Sequence, residues 1–408
     1  MRVIGKIKEI ILSESQPPQP AVWNLGFRPF YLAGAAWAVI AMALWMGQWT
    51  GFFQLRGHLN GVAWHMHEMI FGFAFAIVVG FLLTAVKAWT GQPTPSGRQL
   101  ALIFYAWLAA RILYLTPWSM AGIIFETLFF AMAAVGIGLP MRRSGNRQNI
   151  IFVLLLVLAA LINLAFNAIA FAGFFSFPVS LDVRAIAMAG LDVLAFIVTI
   201  ISGRVMPMFT RNGATGANPK SYARLEKAAL VGIFLTAFFT AVNPFTAFPY
   251  FVALIAFATA FLLLVRWYLC APFATWRNPI LWVLHAALFW LPIGYLLRGL
   301  ALASDSIPAS LGTHAITVGV IGGMTLAMMT RTARGHTGRV LRASPAETVA
   351  YLLMLASAVA RVLVPLFLTE LYYPSVLLSA LLWIAAFLLY LWVFTPWLLS
   401  ARADGKDG

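Results

Sequence analysis

Apolar runs of about 20 residues recur roughly every 30 residues from Phe30 to Thr395. Wound as a helix, each run covers the ~30 Å of hydrocarbon in a bilayer, where backbone polar groups must be satisfied within the segment. The pattern predicts an all-α polytopic membrane protein with twelve transmembrane spans, at 30–49, 64–86, 100–118, 121–139, 149–173, 185–204, 225–242, 249–269, 278–303, 309–330, 346–369 and 374–397. Composition agrees, because 62% hydrophobic and 10% charged residues cannot describe a soluble chain of 408 residues. The connections are too short for a second domain. The expected organisation is a cytoplasmic N-terminal tail (1–29), a single twelve-helix transmembrane domain (30–397) and a cytoplasmic C-terminal tail (398–408). The stretch KIKEIIL, broken by PPQP, is too short for a secretory signal core.

A net charge of +15 does not point to nucleic acid here, because the basic residues alternate between connections. Those after even-numbered spans hold Lys87 and Arg98, then Arg142, Arg143 and Arg147, then Arg211, Lys220, Arg224 and Lys227, then Arg277, and finally Arg331, Arg334, Arg339 and Arg342. Those after odd-numbered spans hold Arg56 and Arg184 alone. Arg2, Lys6 and Lys8 at one end, with Arg402 and Lys406 at the other, put both termini in the cytoplasm. One cysteine, Cys270, excludes an internal disulfide and a cysteine-based metal cluster.

Topology gives every ionisable residue inside a span a depth, and such residues read as functional by default. His65, His67 and Glu68, in the stretch WHMHEM, fall at the outer end of the second span, and His314 at the outer end of the tenth. Arg111, Glu126, Asp192, Arg298 and Arg361 fall in the same outer half. His285 stands alone in the inner half, where packing explains it as well as function does. Asn163 and Asn167, one helical turn apart, read better as hydrogen-bond glue between helices than as ligands.

Neutral imidazole is the commonest metal ligand, and an apolar pocket lined by inward histidines is how a helical bundle holds haem. Haem b needs no Cys-x-x-Cys-His attachment but brings two propionates, for which the forked donors of Arg111, Arg298 and Arg361 are candidates. His65 and His67 are about 200° apart around a regular helix, so one metal does not take both. His65 shares a face with Glu68, Gly72, Ala76 and Gly80, a small-residue stripe suited to close helix packing or to a flat macrocycle. His67 points along Phe71, Ala74 and Val78. Either a histidine or Glu68 could instead orient the true ligand. Methionines such as Met66, Met69, Met206, Met208 and Met328 could serve copper(I), though packing is the commoner use of methionine.

Internal similarity adds a weak repeat. GRVMPMFTR (203–211) aligns with GMTLAMMTR (323–331), and counting from His67 and from His314 pairs Gly72 with Gly319, Lys87 with Arg334 and Gly91 with Gly338. Offsets near 120 residues suggest three pseudo-repeats of four helices, with His67 and His314 in equivalent places facing a common centre.

WHMHEMIFGFAFAIVVGFLLTAVKAWTG, SGRVMPMFTRNG and THAITVGVIGGMTLAMMTRTARGHTGR, with FRPFYL near the start and LHAALFWLP around His285, resemble the signature stretches of the NnrS family. The resemblance implies a bacterial inner-membrane protein of twelve helices that carries haem b, with copper as a second metal, and that acts on nitric oxide in resistance to nitrosative stress. Matching motif positions include His65, His67, Glu68, Met69, Arg204, Arg211, His285, His314, Arg331, His336 and Arg339. A more distant fold analogy is to the haem-copper oxidases, which share the count of twelve and haem-ligating histidines on helices 2 and 10. The expected site has His67 and His314 as first-choice haem ligands, His65 as alternative axial or copper ligand, and Glu68 and Asp192 as catalytic groups. Reduction of nitric oxide would draw electrons from an unknown donor, a quinol or a small redox protein, and protons from the outer face. A secondary transporter and a non-catalytic haem-bearing sensor or maturation protein are the competing classes. The basic motif RTARGHTGR around His336 reads chiefly as a positive-inside anchor.

Overall fold

A computed structural model describes residues 20–55, 57–174, 182–246 and 248–406. Arg2, Lys6, Lys8 and Arg56, used above for topology, lie outside the described residues. The long helices are α1 (Phe27–Trp49), α2 (Gly61–Thr90), α3 (Gly97–Leu113), α4 (Ser119–Ser144), α5 (Ile151–Phe174), α6 (Val183–Gly213), α7 (Ala223–Thr246), α8 (Pro249–Leu269), α9 (Pro279–Ala303), α10 (Ala309–His336), α11 (Pro345–Phe367) and α12 (Tyr372–Leu399). No strand occurs among the described residues.

Ten of these helices, all but α3 and α7, are long and apolar enough to cross a membrane, and the chain is membrane-embedded. At 17 residues α3 reaches only ~25 Å at 1.5 Å per residue, short of the hydrocarbon thickness. α7 opens with Arg224, Glu226 and Lys227, so its apolar stretch starts late. The ends of the helices follow local chemistry. Ser344 begins α11 with a full capping box, its hydroxyl taking the Glu347 N–H and the Glu347 carboxylate taking the Ser344 N–H at 2.7 Å. Gly91 closes α2 in the left-handed region at φ 64°, where a side chain would strain the backbone.

Sequence neighbours pack as helical hairpins, and α12 returns along α1 to close the bundle. α2, α9 and α10 form its interior, with 78%, 72% and 72% of their most apolar stretches buried, against 39% for α4, α5, α8 and α12. The outward faces of the latter carry bare Leu, Phe and Val side chains, such as Phe261 and Leu381, that only lipid would solvate. Arg28 ties the two ends of the chain together. Its Nη1 donates to the carbonyls of Leu398 at 2.9 Å and Ser400 at 2.7 Å, closing the last turn of α12. Ala403 N–H donates to Thr337 O at 3.1 Å, so the start of α1 and the ends of α10 and α12 share one end of the bundle.

Two helices depart from α geometry at their most buried point. α2 passes through a π segment at Glu68–Ala74, directly after His67, and α10 through one at Ala315–Gly322, directly after His314. Such segments are rare and concentrate at functional sites, because the inserted residue re-aims the side chains around it.

Candidate functional site

Histidines 65 and 67 separate onto opposite sides of α2, as their spacing requires, and each enters a different environment. The first is a cavity of about 470 Å³ between α1, α2, α6, α10 and α12, a size typical of small-molecule and cofactor sites. It lies at the end of the bundle away from Arg28, among the last turns of α1 and the first turns of α2, α6, α10 and α12. Its walls are largely apolar: Met42, Met46, Met66, Met69 and Met188, with the indoles of Trp45, Trp49 and Trp383.

Both cavity histidines keep a ring nitrogen free. His314 Nδ1 lies 2.7 Å from the carbonyl of Ser310, one turn earlier on α10. A carbonyl only accepts, so Nδ1 carries the proton and Nε2 keeps its lone pair. His65 stacks on Trp45 with ring centroids 4.5 Å apart, and its buried Nδ1 has no partner. Arg361 enters from α11, buried, with Nη1 unpartnered and its guanidinium 5.5 Å from the Tyr372 ring. Arg184 stands exposed at the rim, on the first turn of α6. A buried cation with no carboxylate partner, beside apolar walls and two neutral imidazoles, suits a flat apolar ligand with an anionic edge. Haem b has that chemistry, and these residues fit it.

The second environment is a sealed polar cluster between α2, α3, α4 and α5. His67 and Glu68 are fully buried, as are Arg111, Glu126, Asn163 and Asn167. His67 Nδ1 is 2.9 Å from Glu68 Oε1, and Nε2 is 2.9 Å from Asn163 Oδ1 and 3.0 Å from Glu126 Oε2. Arg111 donates to Glu68 Oε2 at 2.9 Å and to Glu126, joining the carboxylates. Tyr114 donates to Glu126 at 3.1 Å. The cluster reaches the loop before α2 through Asn167 Oδ1, 2.9 Å from His58 Nε2, and His58 Nδ1, 2.8 Å from Ser119 Oγ.

This division corrects several sequence expectations. His67 and His314 do not face a common centre; His65 is the α2 histidine that shares the cavity with His314. Nor does Glu68 join His65: its carboxylate turns to the neighbouring His67 and to Arg111, at the first residue of the π segment. Gly72 continues the Glu68 face, where a Cβ would meet the Arg111 guanidinium and the Glu68 carboxylate, and Gly80 lies against Phe30. The small-residue stripe therefore serves packing rather than a macrocycle.

Of the three arginines expected around one ligand, Arg361 alone lines the cavity. Arg111 is held in the polar cluster and Arg298 pairs with Asp192, beside Tyr295 at 3.5 Å. Neither Glu68 nor Asp192 lines the cavity. His285 lies outside it too, with Nε2 2.8 Å from Thr210 Oγ1. Arg184 and His58 escaped sequence reasoning. Arg184 read as a loop charge, although the Asp182 cap that accepts its backbone N–H at 2.9 Å places it on the first turn of α6. His58 precedes the second apolar run, so depth reasoning never reached it.

Among the described residues no three His, Cys, Asp or Glu side chains converge as a metal cage. A family model described as NnrS protein matches residues 21–402, nearly the whole chain. A search of curated proteins found no match.

Proposed function

The chain belongs to the NnrS family, which is linked to the nitric oxide response, and on that premise we propose that it is a haem b protein of the bacterial inner membrane that binds and reduces nitric oxide. The observation that carries this reading is the cavity: two imidazoles with a free ring nitrogen each, and one buried guanidinium with no carboxylate partner, among methionine and tryptophan walls. His314 would hold the haem iron through its free Nε2. Its Nδ1–H, fixed on the Ser310 carbonyl, orients the ring and raises the basicity of Nε2, the arrangement metal-bound histidines adopt. Arg361 and Arg184 receive the propionates. His65, held flat on Trp45, is the second imidazole in the cavity and the one available to the bound gas.

A bound haem supplies a redox-active iron at which nitric oxide coordinates. The chain supplies the rest: Met and Trp walls that exclude water, an imidazole positioned for the iron, and cations that neutralise the carboxylates. In this reading α3 and α7 complete twelve crossings. The basic end of the bundle, with Arg28, Arg334, Arg339 and Arg402, faces the cytoplasm, so both termini do so and the cavity opens near the outer leaflet. Electrons come from a quinol or a small redox protein.

Purified protein tests the assignment. The expected result is one haem per cavity by pyridine haemochrome, a Soret band that shifts on addition of nitric oxide, and loss of that band in His314→Ala. Arg361→Gln lowers haem retention without abolishing it. A colourless wild type would sink the haem reading. Nitric oxide consumption by the reduced protein separates an enzyme from a sensor, and its absence would leave a binding protein only.

A further inference from the structure

The polar cluster on the other side of α2 carries an inference that goes beyond the haem reading. We propose that His67, Glu68, Arg111 and Glu126 form a buried proton-binding site, whose ligand is one proton held by the His67–Glu68 pair, and that His67 therefore binds no metal.

Hydrogen-bond polarity makes the first argument. A carboxylate stands against each ring nitrogen: Glu68 Oε1 is 2.9 Å from Nδ1 and Glu126 Oε2 is 3.0 Å from Nε2, and both carboxylates also receive Arg111. Asn163 is oriented by Glu126, to which its Nδ2 donates at 3.0 Å. That choice turns Asn163 Oδ1 toward Nε2 at 2.9 Å, beside Glu126 Oε2 at 3.0 Å. Asn167 Nδ2 stands 3.4 Å from Nε2, but both its protons are committed to Asn163, to the backbone carbonyl at 2.9 Å and to Oδ1 at 3.0 Å. Each ring nitrogen of His67 thus faces acceptors, and each carries a hydrogen. A metal needs a ring lone pair, and none remains.

Charge makes the second argument. Two carboxylates and one guanidinium leave one negative charge among fully buried side chains, and one further proton cancels it. That proton sits on Nδ1 of His67, in the 2.9 Å hydrogen bond to Glu68 Oε1. The other groups facing His67 add no charge: the Tyr114 ring at 4.5 Å from α3, the Phe71 ring at 5.4 Å from α2 and the Phe166 ring at 5.5 Å from α5. The site still communicates with the cavity end of the bundle. From Asn163 the hydrogen-bonded series runs through Asn167 and His58 to Ser119 at the start of α4. His58 is the titratable member of that series, and the loop holding it is the point at which the proton exchanges.

The test uses the full-length protein, labelled with ¹⁵N at histidine and held in lipid nanodiscs, by solid-state NMR at about pH 8, above the ordinary imidazole value of about 6.5. The expected spectrum shows one doubly protonated imidazolium among the six histidines. That signal disappears in His67→Gln and persists in His65→Ala. Glu68→Gln is the conservative variant: its amide can donate to Nδ1 and accept from Arg111, so the fold is kept and His67 turns neutral. A wild type with six neutral imidazoles, or an imidazolium that survives Glu68→Gln, would overturn the proposal. Haem content gives the second readout. His67→Gln retains haem at the wild-type level while His314→Ala loses it, and loss of haem in folded His67→Gln would show His67 to be a ligand after all. A wild type without haem would refute the haem assignment and leave the NMR result standing.

Discussion

Replacing Arg111 by methionine tests whether the polar cluster is held by charge balance. The guanidinium reaches Glu68 Oε2 at 2.9 Å and also Glu126, and all three side chains are fully buried. Arg111→Met keeps an unbranched apolar stem but removes the guanidinium and leaves one carboxylate without a counter-charge, and breaking a buried pair in this way costs about 3–5 kcal/mol. That corresponds to a shift in the folding equilibrium of roughly 10²-fold to 4 × 10³-fold, at 1.4 kcal/mol per factor of ten. Glu126→Gln should be costly as well, because it leaves the opposite imbalance. The double variant Arg111→Met/Glu126→Gln restores neutrality, with Glu68 facing the protonated His67, so its cost should be no greater than that of either single change. Reversible unfolding in mixed micelles with increasing SDS would give all three values, and the coupling energy follows from the cycle. Strict additivity, with the double variant losing the sum of the two single losses, would refute the idea that charge rather than shape holds the cluster.

Two further outcomes follow from the same region. Gly72→Ala puts a methyl group against the Arg111 guanidinium and 2.7 Å from Glu68 Oε2. Overpacking of this kind costs about 1–3 kcal/mol, so a clear fall in unfolding midpoint is expected, and an unchanged midpoint would show that the ion pair can move aside. His58, in the loop before α2, is held below the ordinary imidazole value, chiefly by burial, with the Asn167 hydrogen bond opposing and the charge of His67 reinforcing the shift. The unfolded chain then binds this proton more readily than the folded one, so stability rises with pH through the window below ~6.5 and is lost as pH falls through it. His58→Gln should flatten that acid limb in thermal unfolding followed between about pH 7 and pH 5, and an identical slope in variant and wild type would exclude His58 as its source.

The helical architecture was legible because lipid leaves few choices: runs of apolar residues long enough to span a bilayer have little alternative to helix. Site chemistry was legible in kind, because ionisable residues in such runs are rare enough to stand out one by one. Their partners were not. Depth put Arg111, Arg298 and Arg361 in one layer, but depth says nothing about azimuth, and azimuth decides that Arg111 joins Glu68 and Glu126, Arg298 joins Asp192, and Arg361 alone meets the cavity.

The π segments show where azimuth becomes unreadable. An α-helical reading of WHMHEM put His65 and Glu68 on one face, since three residues are nearly one turn. In the structure, regular α geometry ends at His67, and from Glu68 onward the winding is looser. Glu68, the first residue of that segment, bonds to its neighbour His67 rather than to His65, and the next cavity residues on α2 are Met69, Ile70 and Phe73. The same change follows His314, whose cavity neighbours on α10 are Thr317, Val318 and Ile321. Nothing local in EMIFGFA or AITVGVIG announces a wider turn; its energetic cost is met by tertiary contacts, here the bonds of Glu68 to His67 and Arg111. Gly72→Ala crowds those bonds with a methyl group within the π segment. It should therefore alter the winding of α2 after His67, and with it the approach of Met69 and Phe73 to the cavity that His65 shares with His314.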